Sequence, residues 1–183
     1  TTTRPDTPID VASLQQKAIT EIGRIADGWV PTFWPFGHYG EGLKWIAEGA
    51  REAGRDPSEI ELAPFMGIVP VEDLEFARGV LKPMIAFYIG GMGKYYHAMF
   101  CRFGFQQNAD LVRDLYTAGN RKEAAAAVSD ELVDAIAICG PAEHCREKIA
   151  DWRAQGMGTG LVTLSPGTTC DLATGILGAV AGA

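Results

Sequence analysis

Apolar residues near the start of the chain follow two periods in turn. Ile9-Asp10-Val11-Ala12 is a short β-prone run, broken at Ser13-Leu14-Gln15. Ala18, Ile19, Ile22, Ile25 and Ala26 then fall at the spacing of one buried helix face. Asp27-Gly28 stops that helix, and Trp29-Val30 opens a second β-prone run that ends at Pro31. Strand, loop, helix and strand in about two dozen residues predict a βαβ unit, the element of parallel sheets and barrels.

Beyond an aromatic loop from Thr32 to Tyr39, a second helix is expected from about Gly40 to Ala53. Leu43, Ile46, Ala47 and Ala50 share one face, Gly54 is placed as a left-handed terminator, and Asp56-Pro57 forbids continuation. Ile60 to Val71 is nearly all apolar, as a strand covered on both faces is, with Pro64 and Pro70 marking bulges. A helix follows from Glu72 to Tyr88, with a break at Gly90-Gly91-Met92-Gly93. Lys94 to Ala127 reads as two or three short helices, and Asp130 to Ile138 as another amphipathic run. Pro141 opens a helix to Gln155, Gly160 to Leu164 is a fourth strand, and Asp171 to Val180 is a last weak helix. The fold class expected is α/β, with four parallel strands and a helical insertion, about 89–138, before the last. No long-period repeat suggests a solenoid.

Composition narrows the function. A formal charge of −7 argues against nucleic acid or an anionic membrane as a partner, because both select a basic surface. No apolar run reaches the roughly 18–20 residues of a bilayer span, and no basic-then-apolar leader is expected. Four cysteines without CxxC spacing fit a reduced, cytoplasmic protein. By length the chain is a single domain, residues 1–183. A complete (β/α)8 barrel needs about 250 residues and rarely as few as 200. Barrel units in this chain, which starts without Met, would therefore be part of a barrel.

The turn Ser13-Leu14-Gln15-Gln16-Lys17 follows a strand and opens a helix, where main-chain N–H groups and the helix dipole favour an anion. The turn Ser165-Pro166-Gly167-Thr168 is a second candidate of that kind. Trp34, Phe36, His38 and Tyr39 either floor a pocket or, more commonly for such loops, pack on their own domain. The glycines at 90–93 follow a helix rather than a strand, so they read as an interhelix turn. Cys139, His144 and Cys145 lack a spaced fourth ligand, and no metal site is expected. No catalytic acid or base stands out.

Five phrases in order, EIGRIADGWVP, EGAREAGRDPSEIEL, FYIGGMGKYYHAMFCRFGF, AGNRKEAAAAVSDELVDAIAICGPAEHCREKIADWRAQGM and LVTLSP, resemble the luciferase-like monooxygenase family. The branch they resemble is that of the deazaflavin (F420)-dependent oxidoreductases, over residues from Pro8 to about Pro166. The resemblance implies a (β/α)8 TIM barrel, of which this chain is similar to the C-terminal half. It implies hydride transfer between coenzyme F420 and a small organic substrate, with an FMN-dependent monooxygenase as the alternative. In such relatives a glycine-rich turn holds the cofactor phosphate at the positions of Ser13, Leu14, Gln15, Gln16 and Lys17. Here the glycines are absent, and Ser13, Gln15, Gln16 and Lys17 side chains stand in as donors. Thr32 matches a position that touches the cofactor near its phosphate or ribityl chain. A half-barrel has two unpaired sheet edges, so a complementary N-terminal half or self-association is expected. The reading from a different class is a non-catalytic half-barrel subunit or binding module.

Overall fold

The computed structural model describes residues 7–164 and 167–181. The chain divides into two compact units. The first runs up to Phe65 and takes in Arg153–Leu161; the second holds Met66–Trp152 and the residues from Val162 onward.

In the first unit the predicted βαβ arrangement is present. Strand β1 (Asp10–Val11) leads into helix α1 (Gln16–Ile25), and β2 (Gly28–Trp29) pairs parallel to β1 with Val11 opposite Trp29. Helix α2 (Tyr39–Glu52) follows, then a 3-10 turn (Pro57–Glu59) and β3 (Glu61–Leu62), which pairs parallel to β2. Gly54 has the left-handed φ of 69° expected of a helix terminator. Past the C-cap Ala26, the Asp27 carboxylate accepts from the Ile9 N–H at 2.8 Å and ties the start of β2 to the residue before β1. The buried face of α1 is Ile19, Ile22 and Gly23, continued by Ala26 at its C-cap. Ile25, expected on that face, is 72% exposed, and Ala18 is exposed as well. Gly23 takes the inward position instead because α2 crosses there against bare backbone: a Cβ on Gly23 would lie 2.1 Å from the Ile46 carbonyl oxygen.

The apolar run from Ile60 splits at Ala63-Pro64 into β3 and β4 (Phe65–Val69). Proline has no N–H to give the ladder; its carbonyl instead accepts from Leu161 N–H at 2.9 Å. Strand β4 is the centre of a second three-stranded sheet, flanked by β5 (Ala137–Cys139) and β6 (Leu161–Thr163). Gly67, Ile68 and Val69 pair parallel with Ala137, Ile138 and Cys139. The run from Asp130 to Ile138 is thus not one helix. Helix α7 (Asp130–Ile136) ends and a strand begins at once, with all three β5 residues buried. Among the described residues the strands form these two small sheets and no closed barrel.

Helix α3 (Leu74–Gly91) runs through Gly90 and Gly91, so the turn falls later, at Met92-Gly93. A Cβ on Gly90 would lie 2.4 Å from the Tyr116 Cβ; this glycine serves helix approach rather than a break. Three short helices follow, α4 (Lys94–Arg102), α5 (Gln106–Thr117) and α6 (Arg121–Ala127). Helices α8 (Ala142–Ala154) and α9 (Cys170–Val180) complete the second unit. Cys145, Ile149 and Trp152 are buried on α8 as their spacing predicted, whereas α9 buries no residue. No described helix is long and apolar enough to cross a membrane.

Candidate functional site

Because β1 and β2 are parallel and in register, the segments that follow them leave the sheet at the same end. One segment is Ala12 to Gln15; the other begins at Val30 and contains Thr32. The main chain ties them together: Val30 N–H donates to the Val11 carbonyl at 3.0 Å, and the Trp29 indole N–H donates to the Ser13 carbonyl at 2.9 Å. Thr32 is half-buried and bridges in parallel to Phe65. Phe33, beside it, is buried with φ of 56°, the left-handed region that a bulky residue rarely occupies. Nothing in the sequence marks that conformation, because glycine or asparagine is its usual signal.

Within the turn, Leu14 is buried and offers only its main chain. Ser13 Oγ accepts from the Gln15 N–H at 3.3 Å. Gln15 occupies the N-cap of α1 in extended geometry without a side-chain cap bond, and its carbonyl accepts from Ile19 N–H at 2.9 Å. Gln15, Gln16 and Lys17 are exposed. No acidic residue lies in the first turn of α1. Asp73, Ser129 and Thr169 cap α3, α7 and α9 by accepting from Phe76, Leu132 and Leu172 N–H groups, whereas α2, α4, α5 and α6, like α1, start without a side-chain cap bond. An uncapped start with a lysine in its first turn is worse for a helix and better for an anion. Gln16 also borders a shallow depression with Lys44, Trp45, Glu48 and Arg51 on the flank of α1 and α2.

The aromatic loop packs on its own unit. Trp34 and Tyr39 are buried, and both stand edge-on to Trp29, at 5.0 and 6.5 Å between ring centres. Trp34 donates its indole N–H to the His38 carbonyl at 2.9 Å. Burial pushes the Tyr39 phenol above its ordinary value. Ser165 and Pro166 lie outside the described residues. Cys139 and Cys145 are buried, Cys145 Sγ lies 3.4 Å from the Gly140 carbonyl, and His144 is exposed, which agrees with packing roles.

The second unit holds an apolar cavity of about 240 Å3, lined among others by Ile68, Val71, Phe76, Leu81, Thr163 and Leu172. It also holds a polar cluster not expected from the sequence. His97 and Cys101 on α4 meet Asp110 and Arg113 on α5, with His97 Nε2 2.8 Å from Asp110 Oδ1 and 2.9 Å from Arg113 Nη1. Cys101 Sγ is 3.7 Å from His97 Nε2. The spacings 97/101 and 110/113 are the only sequence signal, and the same spacings describe any solvated helix face.

The model of the luciferase-like monooxygenase family matches residues 1–159. The chain belongs to that family. It is 34% identical over 166 residues to a protein of Mycobacterium tuberculosis provisionally named a coenzyme F420-dependent oxidoreductase, covering 87% of this chain and 48% of that protein. It is 26% identical over 163 residues to the 5,10-methylenetetrahydromethanopterin reductase of Methanolobus tindarius, covering 88% and 49%. Among solved structures, the coenzyme F420-dependent tetrahydromethanopterin reductase of Methanopyrus kandleri superposes with a TM-score of 0.70 at 23% identity, over 88% of this chain and 46% of that one. An F420-dependent secondary alcohol dehydrogenase in complex with an F420-acetone adduct gives 0.68 at 17% identity, over 97% and 50%. This luciferase-like chain therefore has the α/β fold of these enzymes and spans about half the length of the relatives it matches.

Proposed function

We propose that this luciferase-like chain is the C-terminal half of an F420-dependent oxidoreductase, and that its Ser13–Lys17 turn and Thr32 hold the phosphate end of the deazaflavin. The observation that carries the reading is the uncapped start of α1 beside the loop after β2, at one end of a parallel sheet. The donor set suits an anion: first-turn N–H groups, the exposed Gln15 and Gln16 amides, the Lys17 ammonium and the Thr32 hydroxyl. Bound F420 supplies hydride chemistry toward an organic substrate; these residues bind and orient it. FMN is not required to explain the three of these relatives whose names carry F420.

Magnitudes limit what the chain does alone. A helix terminus contributes about 0.3–1 kcal/mol to a bound anion and at most ~2. Micromolar affinity needs about 8 kcal/mol. The remainder comes from walls around the ring system, which this reading assigns to a complementary N-terminal half. Exposed apolar side chains, Ile9 just before β1 and Phe65 on β4, support the need for a partner.

The test is a fluorescence titration of the purified chain with coenzyme F420, competed by inorganic phosphate. Half-saturation is expected well above the micromolar range and several-fold higher still in Lys17→Ala. Sub-micromolar binding would overturn the half-enzyme reading, and an unchanged Lys17→Ala would overturn the phosphate turn. Light scattering separates the partner question: a stable monomer that exposes no dye-binding apolar surface contradicts the missing half.

A further inference from the structure

The His97 cluster presents a contradiction in hydrogen bonding. Nε2 of His97 faces an Asp110 oxygen at 2.8 Å, which only accepts, and an Arg113 nitrogen at 2.9 Å, which only donates. A ring nitrogen carries either a proton or a lone pair, so it suits one neighbour and opposes the other. Arg113 is not dependent on this contact: its Nη2 also pairs with Asp110 Oδ1 at 3.1 Å. Its Nε and Nη2 already donate to Asp114 Oδ1 at 3.1 and 3.0 Å. Cys101 Sγ completes the notch, 3.7 Å from Nε2, one helical turn after His97.

We propose that His97, Cys101 and Asp110 form a binding site for one divalent transition-metal ion of the zinc class. One nitrogen, one sulfur and one carboxylate oxygen lie within 4.8 Å of one another, all three residues half-buried. Tetrahedral bonds of about 2.0–2.3 Å set donor-to-donor distances of about 3.3–3.7 Å. The sulfur–nitrogen separation already falls there, and the carboxylate needs to draw back by about 0.5 Å. A cation in the notch uses the Nε2 lone pair, the thiolate and the carboxylate together, which removes the contradiction. Arg113 then moves wholly onto Asp114. Mixed N, S and O donors select zinc over magnesium or calcium, which prefer oxygen alone. Three protein ligands leave a fourth position for water.

The site is independent of the F420 reading, and its test does not use enzyme activity. The full chain is titrated with Co2+, following the near-ultraviolet thiolate-to-cobalt absorption, and then with Zn2+ to bleach it. One equivalent is expected. Cys101→Ser should abolish the band, and His97→Ala and Asp110→Asn should weaken binding at least about tenfold. Arg113→Ala removes the competing cation and should tighten binding several-fold. A network that holds no ion gives no band in either protein, so the Arg113→Ala titration reads the site even if another variant fails to fold. No band in the unaltered chain, a band that survives Cys101→Ser, or weaker binding in Arg113→Ala would overturn the proposal.

Discussion

The indole N–H of Trp29 donates to the main-chain carbonyl of Ser13 at 2.9 Å, which fastens the turn before α1 to the neighbouring strand. Trp29 is wholly buried and stands edge-on to Trp34. Trp29→Phe removes the donor and the fused second ring, weakening the pair with Trp34 and leaving the Ser13 carbonyl part-buried without its partner. The hydrogen bond contributes about 1 kcal/mol and the ring pair about 0.5–1.5. The expected loss is about 2 kcal/mol in a urea titration, with faster amide exchange from Leu14 to Lys17. An unchanged exchange rate there would show that something other than Trp29 holds the turn.

Helices α1 and α2 approach through glycine. A Cβ on Gly49 would lie 1.8 Å from the Thr20 carbonyl oxygen, a backbone atom that cannot rotate away. Gly49→Ala should therefore lower stability by about 3 kcal/mol or more, and melting by about 6–12 °C. Gly79 lies inside α3, exposed, with no atom within 4 Å of an added Cβ. Gly79→Ala should be neutral or stabilise by up to about 1 kcal/mol. Equal effects at the two positions would refute the close-approach account.

Periodicity made some of this fold legible and hid the rest for identifiable reasons. The switch from period two to period 3.6 marks β1 and α1 because a polar turn separates them. Strand β5 went unseen because Ala135-Ile136-Ala137-Ile138 joins helix and strand with no polar break. Spacing alone puts Ile25 inside; a sequence does not show that α2 demands a glycine at 23. At the candidate site, the turn from Ser13 was visible from its position between strand and helix. The Phe33 conformation and the His97 cluster were not, since each arises from tertiary packing.

Arg78 on α3 holds α7 in place, donating to both oxygens of Asp134 at 2.9 and 2.6 Å. Lys82 adds an ion pair to Asp130 at 2.7 Å. The Lys82 ammonium, with Arg78 nearby, holds the Asp130 carboxyl below its ordinary value of 3.8. A lowered carboxyl contributes stability that is complete above the ordinary value and is lost as pH falls through the lower, folded one. The α7–β5 segment should thus loosen below about pH 4, as acid titration of amide exchange at Ile138 would report. Arg78→Met should lower stability at pH 7 by about 1 kcal/mol, and less in high salt. Acid loosening that is identical in Lys82→Met would count against the network.

Alkali acts on the other side. Burial, with Asp134 adding to it, pushes the Cys139 thiol up to about 12 from an ordinary 9.0. Burial raises the Tyr39 phenol from its ordinary 10.0 in the same direction. Both groups are neutral in the folded chain and ionise earlier once unfolded. Their contribution is therefore complete below about pH 9 and is lost as pH rises toward the folded values. Denaturation midpoints should be flat from about pH 7 to 9 and then fall, with Tyr39→Phe removing the part that begins near pH 10. The same burial orders the thiols by reactivity, since only an accessible thiolate attacks. Cys170 is exposed, Cys101 half-buried, and Cys139 and Cys145 buried. Under a colorimetric disulfide reagent at pH 8, Cys170 should react first and the buried pair only on unfolding. Rapid labelling of Cys139 in the folded chain would mean that β5 opens readily, and the pairing of Val69 with Cys139 would then be a weak point of the second sheet.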